Sequence, residues 1–358
     1  MKRTLKSMLF GSVATTLSLS TAVTTHAEEL KVVTSFSILA DMVDQIAGDE
    51  AMVTSLVGRN GDTHFFSPSP KNALLLKDAE LLVINGLEFE GWIARLIEAS
   101  GFEGTLVVAT DGITPISNDE HGDDDHHDEG EHHDDDEHHD EDEHHDEGEH
   151  HDEDEHHDEH AGHDHGEFDP HAWQSLTQAA VYAQNITTAL QDARPDATAI
   201  IGERGTNYIA KLNALDTRLK SEFSNLDEHC RTIITSHDAF QYFGQDYGLN
   251  FVAPQGWSTA SEASARDVAG LIGQVRKGNI GGIFIENIAD TRLIDQIANE
   301  TGLSVGGVLY SGALSEPDGP ASTYLAMIQH NADQLLSAIN SAVASGACAH
   351  HDDHDDDH

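Results

Sequence analysis

Residues 30–57 read LKVVTSFSILADMVDQIAGDEAMVTSLV. Leu30–Ser35 is a short run of β-favouring residues, Ile38–Ile46 spaces its apolar residues along one helical face, and Met52–Val57 returns to β-type residues. Two strands joined through a helix form a crossover unit, and such a unit makes its strands parallel. The rhythm continues outward: Pro70–Asp78 reads as helix, and Leu81–Asn85 and Leu106–Val108 as strands. It then recurs in the second half, where Thr232–Ser236, Phe251–Ala253, Gly282–Ile285 and Val305–Leu309 are strand-like and Ser261–Val275 and Thr291–Glu300 are helical. The fold class is therefore α/β, with two lobes that are each a parallel sheet covered by helices. A length of 358 residues fits two such domains better than one.

Between the halves lies 195–224. Ile201, Tyr208, Leu212, Leu215, Leu219 and Phe223 make a single helical stripe there, and Pro195 suits a first-turn position. Roughly 30 helical residues span about 45 Å, enough to run along both lobes as a stiff connection; Gly202 and Gly205 are the weak points of that helix. The expected organisation is an N-terminal lobe over 28–194, the linking helix over 195–224, a C-terminal lobe over 225–346 and a His/Asp-rich tail over 347–358.

The formal charge is −47, from 65 acidic and 18 basic residues. Phosphate-backbone recognition and docking on anionic lipid both rest on basic residues, so nucleic acid and lipid surfaces are poor partners. The charge is unevenly placed. Setting aside the 27 acids of 119–167, the five of the last nine residues and the three bases of the first 27 leaves −18 for the body. The segment 119–167 also holds 16 of the 26 histidines, with His-His pairs beginning every six residues from His126 to His156. Between His121 and His160 it has no apolar residue to bury, so disorder is expected there. Such a His-rich loop of imidazoles and carboxylates is suited to transition metals.

Residues 1–27 read as a signal peptide: Lys2, Arg3 and Lys6, then an apolar, small-residue stretch, then Thr25-His26-Ala27. No Cys lies near that cleavage point, so no direct lipid anchor is expected, and the chain reads as a periplasmic monomer. Cys230 and Cys348 are left open. In an oxidising compartment they either pair, tying the C-terminal end to the strand near Arg231, or stand as two thiols.

Nucleophile elbows, Walker loops, dinucleotide fingerprints and HExxH motifs are all missing from the sequence. What remains is five histidines in the body. His64 lies in a loop shortly after the strand Met52–Val57, and His237 directly follows Thr232–Ser236. Ligand sites of open parallel sheets lie at the carboxyl ends of strands. His171 sits at the entry to a helix over Gln174–Leu190. Three converging imidazoles suit Zn²⁺ with a further position for water or carboxylate; on this reading alone any single one of them is more often an ordinary hydrogen-bonded histidine than a ligand. His229 and His330 lack a comparable loop setting and read as structural or surface residues.

The segments GDTHFFSPSP (61–70), DPHAW (169–173), ITSHDAFQYFGQDYGL (234–249), IFIEN (283–287) and LYSGALSEPDGPASTYLAMIQHN (309–331) follow one another as in the zinc and manganese substrate-binding proteins of ABC importers. The chain resembles this cluster A-I, ZnuA-type family over essentially its whole body, with the His-rich insert placed as family members place theirs. The resemblance implies metal held in the cleft between two lobes, with His64, His171 and His237 on the metal-ligand positions. It also implies Zn²⁺ as transported ligand, a membrane permease as partner, and no enzymatic activity. Manganese members tend to have a carboxylate where His237 stands, and a third imidazole favours zinc. The family's usual fourth ligand, an Asp in YSDxL, is replaced by Gly312 in Tyr310-Ser-Gly-Ala-Leu314. That leaves Glu286, Asp62, water or an insert residue for the fourth place, with Glu286 and Asp62 alternatively orienting an imidazole or serving as capping acids. Other readings compatible with the residues are a zinc buffer or metallochaperone, a zinc-dependent hydrolase, and an adhesin-like surface role.

Overall fold

Six of the seven side chains of Leu30–Phe36 (β1), all but Lys31, are buried, so this strand needs cover on both faces and takes a central place. In a computed structural model, which describes residues 29–117, 166–260, 263–276 and 278–348, it does so. β1 pairs in parallel with β2 (Ala51–Val57) on one side and β3 (Leu81–Ile84) on the other, and β4 (Thr105–Val108) closes the order β2-β1-β3-β4. The second sheet repeats the plan as β6-β5-β7-β8, again all parallel, from β5 (Thr232–Ile234), β6 (Asn250–Val252), β7 (Ile280–Glu286) and β8 (Val305–Leu309). In each sheet the chain reverses its direction of travel once, between β1 and β3 and between β5 and β7. A crevice opens at the carboxyl ends of strands at such a switch point.

The helices α1 (Ser37–Ala47), α2 (Pro70–Lys77), α3 (Ile93–Ser100) and α4 (Leu176–Ala193) belong to the first lobe. Those of the second are α6 (Gln241–Tyr247), α7 (Ala265–Arg276), α8 (Arg292–Thr301) and α9 (Tyr324–Ser345). Between them α5 (Thr198–Phe223) packs on α1 and α4 near its start and on α6 and α9 further along, burying Ile201, Tyr208, Leu212, Leu219 and Phe223. One helix stripe thus serves both lobes, as the sequence predicts.

Two details differ from the sequence reading. α5 begins at Thr198, because Pro195 lies in the turn that follows α4. A residue before proline is pushed out of the helical region, so Pro195 ends one helix instead of starting the next. Gly202 and Gly205 are not weak points, since both face α4. A Cβ at Gly205 would lie 2.2 Å from Thr187 Oγ1, so glycine is what lets α4 and α5 approach. The cysteines are paired: Cys230 and Cys348 form a disulfide that fastens the end of the chain beyond α9 to the entry of β5. The expected signal segment 1–27, nearly all of the insert 119–167, and the tail from 349 lie outside the described residues, as do the first two residues of the Ser261–Val275 helix.

Candidate metal centre

His64 follows β2 in the loop Gly58–Ser69. Its backbone N–H donates to Asp62 Oδ1 at 2.9 Å, and Asp62 Oδ2 accepts from Thr259 Oγ1 at 2.6 Å, a bond between the lobes. Asp62 is thus a loop-capping and lobe-bridging acid, placed by an Asx-type turn, and is not the partner of an imidazole. Arg59 strengthens the same bridge by donating to the carbonyls of Ser315 and Ser322 at 2.7 and 2.9 Å. Burial raises the Asp62 carboxyl above its usual range despite these donors.

His171 lies in the segment that joins the insert to α4. Asp169 Oδ1 accepts both from the His171 backbone N–H, at 2.9 Å, and faces its Nδ1 at 2.8 Å. Both lobes hold this segment. Asn85 donates to the Pro170 carbonyl and the Tyr242 hydroxyl to the Asp169 carbonyl. Trp173 Nε1 and Gln174 Nε2 donate to the Ser311 carbonyl, each at 2.8 Å. Sequence reasoning missed Asp169. The signal was present as Asp-x-His, found in both Asp62-Thr-His64 and Asp169-Pro-His171, but the two Asp–His pairs use it differently.

His237 stands just past β5, at the switch point of the second sheet, and Glu286 ends the neighbouring β7. Glu286 Oε1 accepts from the backbone N–H of Ser236 and of His237, each at 2.9 Å, while Oε2 lies 2.6 Å from His237 Nδ1. Both side chains are fully buried. Glu286 is therefore an imidazole partner and not a solvated acid.

These elements bring the three histidines together. Ring centroids lie 5.6 Å apart for His64 and His171, 5.7 Å for His64 and His237, and 5.3 Å for His171 and His237. The Nε2 atoms of all three are buried with no hydrogen-bond partner. One nitrogen from each ring lies within 4.8 Å of the others. Orphaned buried nitrogens are costly unless something accepts their lone pairs, and a cation does so. Phe89 and Trp173 wall the cluster, with Phe89 edge-on to His64 at 5.0 Å and Trp173 edge-on to His171 at 5.2 Å. Gly86, Leu87 and Glu88 all have positive φ, 91°, 51° and 60°, in the strained turn that carries Phe89 inward. The buried Glu90 fastens that turn by accepting from Ser35 Oγ and the Asn85 N–H. Of the three only His64 is partly exposed, toward a cleft of about 670 Å³ lined from both lobes by residues including Phe168 and Trp257.

Burial, together with repulsion from the other rings, holds His64 and His171 well below the ordinary histidine range. Burial alone would lower His237 too, but the Glu286 carboxylate outweighs it and raises the ring. Reciprocally, burial would raise Glu286 and the His237 charge brings it below its usual value. Gly312 offers no side-chain donor, and among the described residues no carboxylate or further histidine joins the cluster. His330 is a structural residue, with Nε2 3.0 Å from the Val308 carbonyl, and His229 is exposed, both outside the cluster.

Two parallel α/β lobes, a long helix packed along both and an imidazole cluster in the cleft define a cleft-type metal-binding receptor. The same architecture is found in solved structures. The manganese-bound periplasmic metal binding protein of Candidatus Liberibacter asiaticus aligns with a TM-score of 0.68 and 26% identity, covering 87% of this chain and 100% of that one. The periplasmic zinc binding protein TroA of Treponema pallidum aligns with a TM-score of 0.71 at 24% identity, covering 87% and 99%, which is a likeness of fold. The chain belongs to the ZnuA family, described as zinc-uptake complex component A, periplasmic, whose model matches residues 32–338. It is thus a metal-binding substrate-binding protein of an ABC importer, not an enzyme, and the divalent ion is its cargo. Relatives carry different metals in their names. The chain is 28% identical over 313 residues to the iron-binding protein YfeA of Yersinia pestis, covering 87% of each chain. It is 24% identical over 321 residues to the manganese-binding lipoprotein MntA of Halalkalibacterium halodurans, covering 89% of this chain and 92% of that one.

Proposed function

We propose that this receptor captures Zn²⁺ in the periplasm and hands it to the permease of an ABC zinc importer, with His64, His171 and His237 as the metal ligands through Nε2. The observation that carries this reading is the set of three buried, orphaned Nε2 atoms on rings that each bring one nitrogen within 4.8 Å of the others. Neutral imidazole suits zinc, whereas manganese prefers oxygen ligands. Two buried carboxylates, Asp169 and Glu286, stand behind two of the rings, as is usual for zinc-bound histidine. Water completes the shell at the place where Gly312 supplies no side chain.

The His/Asp/Glu-rich segment gathers zinc in weaker, faster-exchanging sites, and Gly166, the first described residue after it, lines the cleft. Lobes over 28–194 and 225–346, cleavage after residue 27, absence of a lipid anchor and a monomeric state complete the proposal. The buried Cys230–Cys348 disulfide supports an oxidising compartment. Metal analysis and competition titration test the assignment. Each of His64→Ala, His171→Ala and His237→Ala is expected to lower zinc affinity by at least ~100-fold, above the range for residues behind a ligand. Wild-type affinity in all three variants would contradict it.

A further inference from the structure

Two large apolar side chains are exposed on the segment that carries His64. Phe65 is 64% exposed, and Leu74 on α2 is 66% exposed although Leu76 of the same helix is buried. Single apolar residues are ordinary on a protein surface, but these two stand on a built platform. Trp92 Nε1 donates to the Thr63 carbonyl at 3.0 Å, and the indole packs edge-on against Phe66 at 4.7 Å. Phe66 thus turns inward and Phe65 outward. Pro68 and Pro70 stiffen the run into α2, and Ser69 and Asn72 close a reciprocal cap at its start. Beside this loop is a recess of about 530 Å³, lined by residues including Pro68, Pro70, Ala73, Trp92 and Leu96. A rigid apolar surface loses little entropy when a partner covers it.

The charge of this face runs against that of the molecule. Residues 63–77 contain no acid, in a body whose net charge is −18. Lys71, Leu74 and Lys77 are all exposed and three residues apart, so they form one outward row of α2, and Arg95 lines the recess. The recess also adjoins the side on which His64 is partly exposed. Gly91 and Ala94 line the cleft that His64 faces, and Trp92 and Arg95, next to them in sequence, line the recess. A pore that draws in divalent cations bears carboxylates at its mouth, and these repel an acidic receptor. A local patch of the opposite sign lets the two meet. We propose that Phe65, Leu74, Lys71, Lys77 and the adjoining recess dock on the importer's permease, against an apolar projection ringed by carboxylates. This inference rests on the reading that the ion is handed to a permease, and adds the surface that makes the contact.

The test is ATP hydrolysis by the importer that the wild-type receptor stimulates, reconstituted in liposomes, as full-length metal-loaded receptor is added. Leu74→Asp is expected to raise the receptor concentration for half-maximal stimulation by ~10-fold or more, the loss usual for an interface anchor, with metal affinity unchanged. Lys71→Glu combined with Lys77→Glu is expected to raise it too, and to remove most of the rise that salt causes in the wild type, an effect that misfolding does not produce. Val343→Asp, at another exposed apolar position on α9, is the control and is expected to change nothing. An unchanged half-maximal concentration in Leu74→Asp, or the same loss in Val343→Asp, would overturn the proposal. So would wild-type dimers in sedimentation that Leu74→Asp dissociates, which would give the face to a second copy of the chain. Binding to protein-free phosphatidylglycerol vesicles that Leu74→Asp abolishes would give it to lipid and overturn it equally. Stimulation by manganese-loaded and not zinc-loaded wild type would instead remove the reading of the cargo, and the comparison of variants would still decide the surface.

Discussion

At the residue scale, the three rings differ in how hard protons compete with the cargo. His64 and His171 are held low by burial, so they are already neutral well below pH ~6.5, the free value. His237 is held high by Glu286 and keeps its proton to higher pH in the empty protein. Metal must displace that proton, so affinity falls as pH drops through the raised His237 value, with a slope approaching one proton per ion. Chelator competition between about pH 8 and about pH 6, bracketing the free histidine value, is expected to show that slope, and Glu286→Ala to move it to lower pH. A flat profile in the wild type would contradict the His237–Glu286 account. The sequence made the three histidines legible because two follow strands and all three sit in family-like segments. It passed over Asp169 and left Glu286 undecided, since an acid two residues before a histidine, or 49 after it, states no geometry. Only the fold decides that Glu286 meets a ring and Asp62 meets Thr259 across the cleft.

At the element scale, each lobe was readable from alternation of short β-type runs and helical stripes, and eight strands fall where those runs lie. Boundaries were less so. β7 extends to Glu286, one residue beyond its apolar run, because a buried carboxylate at its end is satisfied by N–H groups from the neighbouring strand end. The role of Gly205 was hidden because close helix approach depends on a partner helix that periodicity does not reveal. Its contact with Thr187 predicts that Gly205→Ala destabilises the metal-free protein by about 1–3 kcal/mol, the usual result of overpacking. Urea unfolding checks this, and an unchanged midpoint would contradict tight α4–α5 packing. The pairing of Cys230 with Cys348 was also beyond spacing alone, since the two lie 118 residues apart. Replacing both by Ser is expected to cost about 2–4 kcal/mol in the same assay under non-reducing conditions.

At the scale of the whole molecule, the lobes are tied on the open side by Arg59 and by Asp62, and at the back by α5. The Ser37 hydroxyl accepts from the Leu314 N–H and Asp41 from the Tyr324 N–H, adding further ties from α1 to the second lobe. A cleft held this way suits a receptor whose lobes adjust locally around an ion more than one that swings widely. The charge of −47 belongs mostly to the two His/acid tracts, and the body at −18 carries the specific site in three of its own histidines. The most direct test of the central claim is a zinc titration of protein lacking 119–165 and 349–358, with manganese as competitor. One zinc per chain, held against a large excess of manganese and lost in His237→Ala, is the predicted result. Manganese binding as tight as zinc, or a zinc site indifferent to His237, would contradict it.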